Sequence, residues 1–194
     1  MKFQLYPHYS NEVRQVGSIE KVYDQNGEYP ITISKDIFYE NDEHRQVTKT
    51  TETSGDGIVM ETKIIYPDDI NETNFSPIGG AFKSEGLINQ LNSQGFHRDG
   101  KLLAVERTEF GLFDNVILPD TIYAAKSLGI LEPRLIYEDY SFGNPVQMKK
   151  YNGVSSSIIW GYDNTLPIAK IDNATYGEIA SALGITENIL KNFD

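Results

Sequence analysis

The sequence predicts a mainly β protein: an antiparallel meander of hairpins with one mid-chain helix and two short C-terminal helices. Three observations carry that expectation. The 194 residues include 12 Tyr and 9 Phe but one Trp, and this aromatic mixture, rich in Thr and Ile, favours pleated, half-buried strands over helices. Short β-branched and aromatic runs recur at close, regular intervals between turn formers. Asn-Gly steps such as Asn26-Gly27 and Asn152-Gly153 supply the positive φ that tight hairpins need.

The elements follow in order. Val22-Tyr23 enters the turn Asp24-Gln25-Asn26-Gly27, and extended structure resumes from Tyr29 to Tyr39 with Ile31, Ile33, Ile37 and Phe38. The polar turn Glu40-Asn41-Asp42-Glu43 leads to a strand over Arg45 to Thr53, Ser54-Gly55-Asp56-Gly57 turns again, and Ile58 to Tyr66 ends at Pro67. Four strands in series are expected. Residues 67–75 are acidic and turn-rich. Beyond Gly79-Gly80, the residues Phe82, Leu87, Ile88 and Leu91 have the spacing of a short amphipathic helix that ends between Asn92 and Gly95.

A second set of strands covers Leu102 to Phe113, Thr121 to Ala125, Arg134 to Tyr140, Val146 to Tyr151 and Ser155 to Tyr162, with Gly143-Asn144-Pro145 and Asn152-Gly153 as turns between the last three. Asp172-Asn173-Ala174-Thr175 then offers an N-cap. Tyr176, Ile179, Ala180 and Leu183 recur at helical spacing, which predicts a helix over about 174–183 that Gly184 stops. Ile189, Leu190 and Phe193 mark a second short helix over 186–193. The organisation reads as an N-terminal β-meander (1–66), a loop and helix insertion (67–100), a second β-sheet segment (101–171) and a C-terminal helical cap (172–194), compatible with one continuous domain.

Composition limits the function. Twenty-eight acids against 17 basic residues give a net charge of −11, which opposes docking on phosphate backbones or anionic lipids, so nucleic acid is not an expected partner. Cysteine is absent, which removes disulfide scaffolds, thiolate metal sites and cysteine nucleophiles. The start Met1 to His8 lacks the apolar core of a secretion signal, and no run approaches the roughly 20 apolar residues that span a bilayer. A soluble chain with no signal peptide and no membrane insertion is expected.

Candidate chemistry is sparse. His8, His44 and His97 lie far apart, and no two of them share the i+3 or i+4 spacing of a helical metal site, so solvated loop histidines are expected. His97-Arg98-Asp99 with Ser76 lacks the G-x-S-x-G elbow of a hydrolase. Glu106 and Glu109, three apart on a strand, would face opposite sides of the sheet rather than flank a glycosidic bond. Asp24, Asn26 and Glu28 place oxygens at alternate positions, as a calcium loop begins, without its distal bidentate Glu, so a hairpin turn is the simpler reading. Gly79-Gly80 belongs to no phosphate-cradling motif. No catalytic residue, metal site or cofactor is expected.

Trp160, Tyr162, Tyr151 and Tyr137 fall on neighbouring predicted strands. There they would either pack across strands or form a flat aromatic row able to stack on sugar rings. A carbohydrate-binding or adhesion module is therefore an alternative function, and a glycan-active hydrolase a further one.

Two segments share a layout, Tyr23-Asp24-Gln25-Asn26-Gly27 and Tyr140-Ser141-Phe142-Gly143-Asn144, each placing an aromatic and a turn glycine between strands. This resembles the Tyr-Asp (YD, Rhs-type) repeat, with Ser141 standing where the motif has Asp. Ile158-Ile159-Trp160-Gly161-Tyr162, followed by Pro167 to Ile171 and Asn173-Ala174-Thr175-Tyr176, is similar to a run in large YD-repeat surface proteins of Bacteroidetes. Asp120-Thr121-Ile122 is similar to the O-glycosylation acceptor of exported proteins in those bacteria. The resemblance implies a piece of an extracellular or cell-surface β-repeat shell with a structural, non-enzymatic role. Its edge strands would pair with adjoining repeats or with another copy.

Overall fold

The computed structural model describes residues 12–69, 93–127 and 129–192. The strands are β1 Gly17–Val22, β2 Ile31–Phe38, β3 Lys49–Thr53, β4 Val59–Ile65, β5 Ser93–Arg98, β6 Lys101–Phe113, β7 Val116–Lys126, β8 Glu132–Ser141, β9 Asn144–Lys150, β10 Ser155–Gly161 and β11 Leu166–Asp172. They form one open antiparallel sheet whose spatial order is the sequence order, β1 through β11. Two short helices follow, α1 Tyr176–Leu183 and α2 Glu187–Lys191. The mainly β expectation holds.

Turn chemistry explains much of this order. Asp99 (φ 48) and Gly100 (φ 76) close β5 onto β6, Asp114 (φ 48) and Asn115 (φ 65) close β6 onto β7, and Phe142 (φ 50) and Gly143 (φ 80) close β8 onto β9. Two successive left-handed residues are the type I′ requirement, and their twist matches that of the strands they join. At Asp24 the carboxylate Oδ1 accepts the backbone N–H groups of Asn26 (3.0 Å) and Glu28 (2.7 Å), so the turn is held by its own side chain. Bulges interrupt the ladders at Phe96/His97, Glu109/Phe110, Ile122/Tyr123 and Ile159/Trp160, which increases local twist.

Two strands were not expected from the sequence. β5 occupies residues where the mid-chain helix was expected to end; Ser93-Gln94-Gly95-Phe96-His97-Arg98 has no clean alternation, and it becomes a strand because β4 and β6 flank it on both sides. The helix expected at Leu87 to Leu91 lies outside the described residues. β11 carries Pro167, which cannot donate to a ladder, and is tolerated there because β11 is an edge strand. Six partner pairs join β4 to β5, so the strands on either side of residues 70–92 belong to one sheet.

Most described strand residues are only partly buried, as expected of a layer with little packed on it. The main core lies at the C-terminal corner, where Val146 and Ile159 of the sheet meet Tyr176, Ile179 and Ala180 of α1 and Leu190 of α2. The buried residues of α1 fall at i, i+3 and i+4, one face of a helix. Thr175 caps that helix reciprocally with Glu178. At the other end Gly184 (φ 68) ends it: the Gly184 N–H reaches Ser181 O and the Ile185 N–H reaches Ala180 O, a Schellman closure.

Candidate functional site

The four aromatic residues proposed as a ligand row are not brought together. Tyr151 sits in the β9–β10 turn and Tyr162 in the β10–β11 turn, at opposite ends of β10, which is roughly 20 Å long. Trp160 is half-buried against the C-terminal core and its Nε1–H donates to Pro145 O (2.9 Å). Tyr137 lies opposite Met148 on β9, with its ring 5.8 Å from that of Tyr140. Trp160 and Tyr137 thus pack within the fold, while Tyr151 and Tyr162 point into solvent at separate edges.

The histidines need correction. His44 is not a solvated loop residue: its side chain is fully removed from water, and its ring lies 4.8 Å from that of Tyr66. Its Nδ1 accepts the Gln46 N–H (2.9 Å), which leaves the proton on Nε2, 3.0 Å from Asp69 Oδ1. Sequence patterns gave no warning, because Asp69 lies 25 residues away. His97 is also largely buried, with Nδ1 3.9 Å from Glu61 Oε1. His8 lies outside the described residues.

The remaining polar candidates are committed to the fold. Asp99 Oδ1 accepts the Val59 N–H (2.9 Å), and Ser76 lies outside the described residues. Glu106 accepts from Gln94 Nε2 (3.0 Å) while Glu109 pairs with Arg107, so the two carboxylates serve different partners. Glu138 gathers Gln147 Nε2 (2.8 Å), Ser155 Oγ (2.6 Å) and Lys149 Nζ (2.5 Å). Burial pushes its carboxyl up, but these three donors outweigh that and hold it below the usual range. Gln147 Oε1 in turn accepts the Tyr176 N–H (2.8 Å), which ties the sheet to the start of α1. Among the described residues no group of three or more His, Asp or Glu side chains is placed to hold a metal ion.

The sequence did not single out as a site a cleft of about 470 Å³ at the ends of β6–β7 and β8–β9, roofed by α2. Phe113, Val116 and Phe142 supply apolar wall, and Asp114, Asn188 and Lys191 supply polar groups. Tyr140 forms its base, with its ring 4.6 Å from Phe113 and its hydroxyl donating to Pro119 O (2.7 Å). Burial pushes the Tyr140 phenol well above its usual range, so it is a neutral, fixed support. Lys191 Nζ is paired with Asp139 Oδ2 at 2.6 Å.

No family model matches this chain, and no curated protein matches it. Among the described residues, no helix is long and apolar enough to cross a membrane.

Proposed function

We propose that the chain is a non-enzymatic structural module of the YD-repeat kind, part of an extracellular or cell-surface β-sheet wall. The observation that carries this reading is the strictly sequential order of eleven antiparallel strands, which leaves β1 and β11 as the two edges. Such a sheet grows by adding strands at its ends, and an exposed edge is a template for pairing. Ile19 and Val22 on β1, and Leu166 and Ile168 on β11, are all exposed, so among the described residues each edge carries apolar side chains as well as backbone with no further strand partner. The partners are adjoining repeats or a second copy of the chain.

Light scattering over a concentration series, at low salt and at about 0.5 M salt, tests this. Concentration-dependent assembly is expected, stronger at high salt because the net charge of −11 is then screened over a few ångströms. A mass that stays monomeric throughout both series would overturn the reading.

A further inference from the structure

We infer that the cleft between the β6–β7 and β8–β9 turns and α2 is a carbohydrate site that takes one or two neutral pyranose rings. The argument begins with Phe142. It occupies the first central position of a type I′ turn at φ 50, a place that favours Asn, Asp or Gly and disfavours bulky side chains. Its ring is also 68% exposed. Tyr29 and Tyr162 combine positive φ with exposure in the same way, so what singles out Phe142 is that it breaks both local preferences at a cleft, where a sequence can serve function rather than folding. The ring lies on the wall of the cleft.

The cleft has the size and chemistry for a sugar. At about 470 Å³ it falls within the span of small-molecule sites, roughly 300–1,000 Å³. Pyranose rings carry one C–H face that packs on aromatic rings and a belt of hydroxyls that both donate and accept. Phe142 and Phe113 offer the aromatic surface, and Phe113 is braced by Tyr140. Asp114 offers an exposed carboxylate, and the exposed Asn188 amide offers its N–H donors, its oxygen already accepting a long bond from Asn192 Nδ2 (3.4 Å). Among the described residues that line the cleft the one cation is Lys191, which Asp139 already neutralises, and this removes the electrostatic reason to prefer an anionic ligand.

The test is saturation-transfer and amide-shift NMR on the whole chain, with methyl glycosides of glucose, galactose, mannose and N-acetylglucosamine and their common disaccharides. At least one is expected to bind with millimolar affinity and to shift amides of residues 113–116, 141–143 and 188–192. Phe142→Ala is expected to weaken that binding at least tenfold with an otherwise unchanged amide spectrum. Tyr162→Ala, which removes an equally exposed aromatic (68%) from another left-handed turn position at φ 53, is expected to leave it unchanged. The inference is overturned if no saccharide shifts these amides at 50 mM, if Phe142→Ala binds as the parent does, or if the shifts centre on Tyr162 and Trp160. None of these outcomes bears on edge pairing, so this site and the structural module stand or fall separately.

Discussion

His44 Nε2 lies 3.0 Å from Asp69 Oδ1, with the histidine ring fully removed from water. The contact closes the long β2–β3 connection onto the segment that follows β4. Asn41 Nδ2 (2.8 Å) and the Tyr66 N–H (2.9 Å) reach the same carboxylate. Three donors from three positions therefore converge on one acid, and replacing His44 with Ala is expected to cost about 2–4 kcal/mol, through the cavity and the stranded partners. Urea denaturation checks it; a cost below half a kcal/mol would show that the latch is not structural.

The same carboxylate gives a pH dependence with a definite sign. Burial pushes the Asp69 carboxyl up, but hydrogen bonds from Tyr66, Asn41 and His44 outweigh it and leave the folded pKa below the ordinary value. A group whose folded pKa is lowered contributes stability that is fully present above its unfolded pKa, about 3.9, and is lost as pH falls through the folded pKa. On lowering the pH from about 6 to about 3 the parent is expected to lose more stability than Asp69→Asn. Parallel acid dependence of the two proteins would remove Asp69 from the account.

Much of the sheet was legible because its turns announce themselves. Gly27 (φ 75), Gly57 (φ 81) and Gly143 (φ 80) adopt the left-handed backbone their positions imply, and Thr175 and Gly184 bound α1 by local hydrogen bonds alone. What failed was whatever depends on distant neighbours. β5 is a strand by virtue of β4 and β6, since its own Gly95 and polar flanks specify nothing. His44 is buried by a partner 25 residues away. Trp160, Tyr162, Tyr151 and Tyr137 looked aligned because strand membership was legible, but position along a strand was not. Phe142 lay in a segment already noted for its repeat layout; the signal that was missed is a bulky aromatic at a turn position that requires positive φ.

The C-terminal helices test how the corner core is held. Leu190 is 1% exposed, and its carbonyl accepts the Tyr176 hydroxyl at 3.2 Å. A five-residue helix such as α2 has no stability of its own, so Leu190 is its anchor. Leu190→Ala is expected to cost about 2–5 kcal/mol and to release α2 while the β1–β5 amides keep their protection in hydrogen exchange. Uniform loss of protection would show instead that the corner and the rest of the sheet unfold as one unit.

Capping makes a smaller claim that separates backbone from packing. A Cβ at Gly184 would meet nothing within 4 Å, so Gly184→Ala introduces no clash and costs only the left-handed backbone, about 1 kcal/mol. Thr175→Ala removes the capping box at the other end for about the same, roughly 1 kcal/mol. The two sites use separate partners, so thermal or chemical denaturation of the double variant is expected to give the sum of the single effects.

Edge pairing, finally, has a register that can be trapped. If β11 of one copy meets β1 of the next antiparallel, continuing the meander, one alignment sets Lys170 opposite Glu20. It also sets Ile168 opposite Val22 and Ile171 opposite Ile19, so charges are opposed in sign and apolar residues meet in pairs. The chain has no cysteine of its own, so Glu20→Cys combined with Lys170→Cys reports on this contact without background. Mild oxidation is expected to give a ladder of covalent oligomers, because a head-to-tail contact between unlike edges does not close on itself. Glu20→Cys with Ala169→Cys, whose side chains would face opposite sides of the sheet, is expected to give none. A dimer without a ladder would mean that like edges pair, and equal cross-linking of both double variants would mean that the edges meet without fixed register.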